Sequence, residues 1–130
     1  DLYRECGVLP FTFNTINKMI WFAENRPDLI EKSHRFLFMP SVFSYFLTGV
    51  MANDATMAGT SMATSLATRK MSDNILGKIG FPSNKIGDLS EPGTITGMVT
   101  AKASGETGIP AGTPVVATDQ YRVGNSLRMD

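Results

Sequence analysis

A chain of 130 residues, 42% of them hydrophobic, can bury one modest core and no more, since domains near this size remove only about two-thirds of their unfolded surface from water. Its twelve basic and twelve acidic side chains cancel, which excludes the basic footprint needed to hold a polyanion through many phosphate contacts, so nucleic acid is not an expected partner. Cys6 is alone, which excludes an intrachain disulfide and fits a small buried hydrophobe in a reducing compartment.

Ile16, Met19, Ile20 and Ala23 recur at i, i+3, i+4 and i+7 and predict a helix with one apolar stripe, which Trp21 widens and Asn14 or Thr15 caps. Pro27 stands where a first helical residue would, with Asp28 in the first turn and Lys32 and Arg35 toward the far end. That order matches the helix dipole, and this helix is expected to end near His34. Phe36 to Met39 reads as a short buried strand. Ser41 then caps a helix that turns Val42, Phe43, Phe46 and Leu47 inward until Gly49 ends it. The apolar stretch from Phe36 to Ala52 is interrupted by Pro40, Ser41, Ser44, Tyr45, Thr48 and Gly49, and it falls short of the roughly 20 apolar residues that a bilayer requires. No membrane partner is expected, and the first residues show no secretory pattern.

From Ala52 to Thr68 the chain is rich in Ala, Thr, Ser and Met, and Met62, Thr64 and Leu66 mark a period of two. An extended loop with a short strand at its end is expected. Ser72 caps a further helix with Ile75, Leu76 and Ile79 on one face, closed by Gly80 and Pro82. Residues 83–92 read as a connection and Thr94 to Val99 as a strand. Thr100 to Thr107 reads as a helix weakened by Ser104 and Gly105. Gly108, Pro110 and Gly112 turn the chain into the apolar strand Pro114 to Ala117.

His34 has no acidic or cysteine partner at metal-ligand spacing and reads as a solvated helix-end residue. The eight methionines could furnish an adaptable apolar surface for a binding module, although Met is equally a gap-filler in cores.

Four stretches taken together carry more than any of them alone. They are Thr15, Lys18 and Trp21 in the first predicted helix; Pro40 to the Leu47-Thr48-Gly49 turn; Asn53-Asp54-Ala55-Thr56-Met57-Ala58-Gly59-Thr60-Ser61 followed by Arg69-Lys70-Met71-Ser72-Asp73; and Gly93-Thr94-Ile95-Thr96-Gly97 followed by Gly108 to Ala117. In this order the chain resembles the FGGY family of carbohydrate kinases, with Ser41 standing where many relatives have Asp. The resemblance covers about residues 8–118. It implies an α/β fold, a fragment of the actin-like, ribonuclease-H-like N-terminal domain of a sugar kinase, built of short helices with a few strands. Residues 1–118 would be the C-terminal half of that sugar-binding domain.

The implied chemistry is phosphoryl transfer from ATP, with Mg²⁺, to a ketose such as L-fuculose, or L-rhamnulose or D-xylulose, by a cytoplasmic enzyme. Such transfer needs a carboxylate to take the hydroxyl proton, a magnesium ion and backbone donors on the phosphates. Members of the family place their phosphate-binding Asp-Gly-Thr hairpin and their adenosine-binding segments outside this stretch. ATP and Mg²⁺ therefore belong to the parent enzyme, with no cofactor expected on this fragment, and the isolated chain is expected to be inactive.

A Gly-His-Asp, whose Asp is the family's base, should follow Thr118, but the chain continues Asp119-Gln120-Tyr121-Arg122. Either a deletion has brought the base forward as Asp119, or residues 119–130 are foreign to the family; the second reading is preferred because nothing from Tyr121 to Asp130 resumes the family's apolar, glycine-rich continuation. By the same resemblance Phe13, Asn14 and Thr15 are the candidate sugar contacts. The alternative readings are Phe13 as core and Asn14 or Thr15 as cap. Lys18 and Trp21 are taken as a packed helix face, and Asp54, Thr56 and Thr60 as side chains that hydrogen-bond a loop in place. Excision from a larger enzyme should leave apolar faces uncovered, at Val115 to Ala117 and in the Phe36 to Phe46 region, so self-association is expected.

Overall fold

The computed structural model describes residues 1–117. In chain order they form α1 (Leu2–Cys6), α2 (Thr15–Asn25), α3 (Pro27–Lys32), α4 (Met39–Thr48), β1 (Asn53–Asp54), α5 (Ala55–Gly59), α6 (Asp73–Lys78), a 3-10 turn (Ser83–Lys85), β2 (Leu89–Ser90), β3 (Ile95–Met98), α7 (Ala101–Thr107) and β4 (Pro114–Val116). They divide into two units, one made of Asp1–Phe36 and Ala58–Asp88, the other of Leu37–Met57 and the chain from Leu89 onward. The α/β expectation of short helices with a few strands holds.

In the first unit the core gathers Cys6, Ile16, Met62 and Ile75, with Val8, Ile20 and Ile79 packed against it. The helix α1 was not expected from sequence. Its Asp1 carboxylate accepts from the Tyr3 N–H at 3.1 Å, and Gly7 ends it at φ 70°. The α2 helix buries Ile16 and Met19 as the spacing predicts, but Trp21 is exposed and does not widen the buried stripe. Pro27 opens α3 and Lys32 closes it, so Arg35 and the exposed His34 lie beyond the helix.

The Ser72 hydroxyl accepts from the Ile75 N–H at 3.1 Å, capping α6 and turning Ile75 and Leu76 inward. That same hydroxyl donates to Glu5 Oε1, while Asn74 Nδ2 donates to Oε2 at 2.7 Å. These bonds, led by that from Ser72, hold the Glu5 carboxyl below its ordinary pKa. The expected strand at the end of the 52–68 segment reduces to one antiparallel bridge between Thr64 and Met71; Leu66 is exposed. Met62 takes a positive φ of 68°, which breaks the alternation that an extended strand needs.

In the second unit α4 starts two residues before the expected cap. Phe38 is its N-cap and Pro40 lies in its first turn. Ser41 is therefore buried within the first turn and is not the cap. The strand expected at Phe36 to Met39 does not form. Phe36 N–H donates to the Lys85 carbonyl and Phe38 N–H to the Asn53 side-chain oxygen, whereas a strand would need a ladder to a second strand. The buried face of α4 carries Ser41 and Thr48, whereas Phe43 and Phe46 are 63% and 69% exposed. The inward assignment of those two phenylalanines is thus reversed.

Gly49 ends α4 at φ 73°. The strands β1 and β2 pair in parallel, Asn53 with Leu89 and Asp54 with Ser90, inside stretches read from sequence as loop and connection. Antiparallel β3 and β4 pair Ile95 with Val116 and Met98 with Pro114, with a bulge between Ile95 and Gly97. A Cβ on Gly97 would lie 2.8 Å from Thr48 Cβ, so the absent side chain lets β3 approach α4. Thr100 Oγ1 accepts from the Ala103 N–H at 3.1 Å and so caps α7.

Candidate functional site

The loop before α2 is the first candidate. Asn14 is its anchor, being 3% exposed. Its side-chain oxygen accepts from the Phe11 N–H at 2.6 Å and its Nδ2 donates to the Thr60 carbonyl at 2.9 Å. The side chain therefore makes no capping bond to α2, although the residue stands at the N-cap position. Asn17 Nδ2 fastens the other side of the loop, donating to the carbonyls of Phe11 and Thr12 at 3.0 and 3.2 Å.

This clamp leaves Phe13 outward at 71% exposure, its ring stacked on that of Phe11 with centroids 5.1 Å apart and planes within 6°. Phe13 is accordingly no core residue. The two rings make a flat apolar platform on a loop fixed by four hydrogen bonds, a surface suited to a ligand with one apolar face. Thr15, the first residue of α2, is half-buried. Lys18 and Trp21 are exposed and are not a packed helix face; Trp21 meets Phe22 edge-on at 5.2 Å.

A second candidate lies in the other unit. A cavity of about 330 Å³ is lined by Ser41, Phe43, Asp54, Thr96, Val115 and Ala117, among others, drawing on three of the four motif stretches. Asp54 is buried, and its Oδ1 accepts from Thr56 Oγ1 and from the Met57 N–H, both at 2.7 Å. That is the loop-fixing role expected for Asp54 and Thr56, while Thr60 serves through the carbonyl that Asn14 grips. The reading of residues one by one missed the cavity. Its signal was the recurrence of small hydroxyl residues, Ser41, Ser44 and Thr96, beside one aspartate. Asp119, the candidate base, lies outside the described residues.

Among the described residues no group of His, Cys, Asp or Glu is placed to hold a metal ion, and no helix is long and apolar enough to cross a membrane. Neither candidate site thus supplies a metal-binding set of its own.

Residues 1–122 match the N-terminal domain of the FGGY family of carbohydrate kinases. The chain belongs to the FGGY family of carbohydrate kinases. It is 39% identical over 111 residues to the L-fuculokinase of Escherichia coli K12, an alignment covering 85% of this chain and 24% of that protein. It is 32% identical over 112 residues to the autoinducer-2 kinase of Yersinia pestis Pestoides F, covering 86% of this chain and 21% of that one. The chain therefore spans about a quarter of the length of the FGGY kinases it matches. Its fold is shared with the xylulose kinase of Rhodospirillum rubrum, at a TM-score of 0.84 and 19% identity over 99% of this chain and 27% of that one. The expectation of a sugar-kinase N-terminal domain, actin-like in fold, is met.

Proposed function

We propose that this chain is the sugar-facing part of the N-terminal domain of an ATP-dependent kinase that phosphorylates a ketose, with L-fuculose, converted to L-fuculose 1-phosphate, as the preferred substrate. The observation that carries the reading is the outward Phe13 ring, stacked on Phe11 and held on a loop that Asn14 locks from inside. A rigid aromatic face takes up the C–H side of a sugar, while neighbouring polar groups, Thr15 among them, take its hydroxyls. The identity to an L-fuculokinase, higher than that to an autoinducer-2 kinase, supports L-fuculose over other sugars. L-Rhamnulose and D-xylulose are the alternatives.

Among the described residues no three His, Cys, Asp or Glu side chains are grouped to hold Mg²⁺. ATP and Mg²⁺ both belong to parts of the parent beyond this stretch, in a cytoplasmic enzyme. Residues 1–118 supply the C-terminal half of the sugar-binding domain, and the tail from residue 119 onward, of which only the first four residues fall within the family match, is read as foreign to the family. The contribution of this chain is to bind and orient the sugar, the part of catalysis that converts a bimolecular encounter into a positioned one. In isolation its uncovered apolar surfaces pair it with a second copy.

The test is a titration of the full chain with L-fuculose, L-rhamnulose and D-xylulose, followed by the ring resonances of Phe11 and Phe13. Saturable shifts that are largest with L-fuculose and vanish in Phe13→Ala support the reading. Unmoved rings with all three sugars, in a chain whose fold is intact, refute it.

A further inference from the structure

We propose that the cavity bordered by α4 and β4 is a binding site for a small primary amine, with its ammonium on Asp54 and its apolar body against the surrounding walls. The cavity measures about 330 Å³ and lies wholly within the second unit, a volume that small-molecule sites occupy. Phe43, Val115 and Ala117 supply apolar wall, and Ser41, Ser44, Asp54 and Thr96 supply the polar side chains. None of these residues belongs to the aromatic platform.

Two of those polar groups are buried yet left incomplete by the fold. Ser41 is 4% exposed, and its hydroxyl makes no hydrogen bond among the described residues. Asp54 is 8% exposed. Its Oδ1 accepts from Thr56 Oγ1 and from the Met57 N–H, both at 2.7 Å, while Oδ2 accepts from none of the described residues. Among those residues the one buried side-chain nitrogen or oxygen with neither a partner nor accessible surface is Arg35 Nε. The Ser41 hydroxyl and Asp54 Oδ2 therefore both keep open surface, and the cavity that the two residues line is the space they open onto.

The other hydroxyls set the sign of the ligand. Ser44 Oγ donates to the Pro40 carbonyl at 3.4 Å and Thr96 Oγ1 to the Val115 carbonyl at 3.0 Å, which spends both hydrogens and leaves oxygens that can only accept. Among the described residues no Lys or Arg lines the cavity. A wall of acceptors with one full negative charge calls for a donor-rich cation, and an ammonium carries three donors on one charge. The first turn of α4 also borders the cavity, but its roughly half positive charge is smaller than the whole charge of the carboxylate. The Phe43 ring, largely exposed, adds an aromatic face for the cation or for the apolar body behind it. An anion would meet Asp54 without compensation, and a neutral alcohol forfeits the charge-assisted bond.

The experiment titrates the full ¹³C-labelled chain with benzylamine and 3-methylbutylamine, and separately with benzyl alcohol and 3-methylbutanol as neutral counterparts and benzoate as an anion. The methyls of Val115 and Ala117 are followed, with those of Ile75 as a reference outside the cavity. The expected result is saturable shifts at Val115 and Ala117 with both amines and none at Ile75, affinity roughly tenfold lower for the alcohols, the difference made by one charge-assisted pair, and no saturation with benzoate. Asp54→Asn keeps an acceptor for Thr56 and Met57 and should bring the amines down to the level of the alcohols. Ser41→Ala removes a hydroxyl that bonds to nothing in the fold, so it should leave the denaturant midpoint in place while weakening the amines several-fold. Val115 and Ala117 methyls that the amines leave unmoved, alcohols or benzoate that bind as well as the amines, or full amine affinity in a folded Asp54→Asn variant would each overturn the proposal. Should that variant not fold, Ser41→Ala and the amine-against-alcohol comparison in the unmodified chain decide.

Discussion

Asn14 Nδ2 donates to the carbonyl oxygen of Thr60 at 2.9 Å across 46 residues of sequence, while the same amide accepts from the Phe11 N–H. One buried side chain thereby ties the aromatic loop to the segment after α5. Asn14→Ala strips a partner from both groups and should cost roughly 1–3 kcal/mol, read as a lowered denaturant midpoint with unchanged m-value. Asn14→Asp keeps the acceptor for Phe11 but sets a carboxylate oxygen against the Thr60 carbonyl in a buried site, so it should cost at least as much as Asn14→Ala. Full stability in Asn14→Ala would show that the clamp does not hold the loop.

Glu5 gives the first unit a pH dependence. Its carboxylate accepts from Ser72 and Asn74, and its pKa in the fold is lowered from the ordinary 4.5, chiefly by the Ser72 bond. The unfolded chain holds the proton more tightly than the folded one, so the contact stabilises the fold above about pH 4.5 and is lost as the pH falls through the lower folded value. Melting temperatures measured from pH 3 to pH 7 should decline at the acid end, and Glu5→Gln should flatten that part of the decline. A Glu5→Gln profile parallel to that of the unmodified chain would contradict this.

Gly97 marks a close approach of strand to helix. Its added Cβ would meet Thr48 Cβ at 2.8 Å, and a carbon bonded directly to the α4 backbone cannot swing aside as the tip of a long side chain can. Gly97→Ala should therefore destabilise by about 1–3 kcal/mol. The check is chemical denaturation beside Gly105→Ala, where nothing lies within 4 Å of the added carbon and stability should hold or rise.

The outer face of α4 tests the uncovered-surface account. Met39, Phe43 and Phe46 are exposed at helical spacing on a helix, MPSVFSYFLT, that carries no charged residue to oppose self-contact. Light scattering on the purified chain should give a mass that rises with concentration, and Phe43→Ser with Phe46→Ser should return it to the monomer. A concentration-independent monomer for the unmodified chain would remove this part of the account.

The helices with local signals were legible. In α2, α3, α6 and α7 the apolar spacing, a Pro at the first position, or a Ser or Thr cap lies within a few residues of the turn it fixes. The face of α4 was not legible, because large apolar residues are normally assigned inward, whereas here Ser41 and Thr48 are buried and Phe43 is not. The pairing of Asn53 with Leu89 was equally hidden, since it joins residues far apart by a ladder of two pairs. In the loop before α2 the structural roles of Phe13 and Asn14 were not legible. The alternative reading of Phe13 as core failed because the loop is held by bonds that sequence spacing does not show, among them the long-range bond from Asn14 to the Thr60 carbonyl, and Phe13 is exposed.

Phosphoryl transfer is the central claim, and release of ADP tests it most directly. The purified 130-residue chain should release no ADP from Mg·ATP above the buffer rate with L-fuculose, L-rhamnulose or D-xylulose, because the phosphate cradle is not among its motifs. The complete kinase carrying this stretch should release ADP fastest with L-fuculose, and Phe13→Ala in it should raise KM by roughly tenfold with a smaller change in kcat, the pattern of lost uniform binding. Sugar-dependent ADP release by the chain alone that disappears in Asp119→Asn would contradict the account, restoring Asp119 as the base and residues 119–130 to the family.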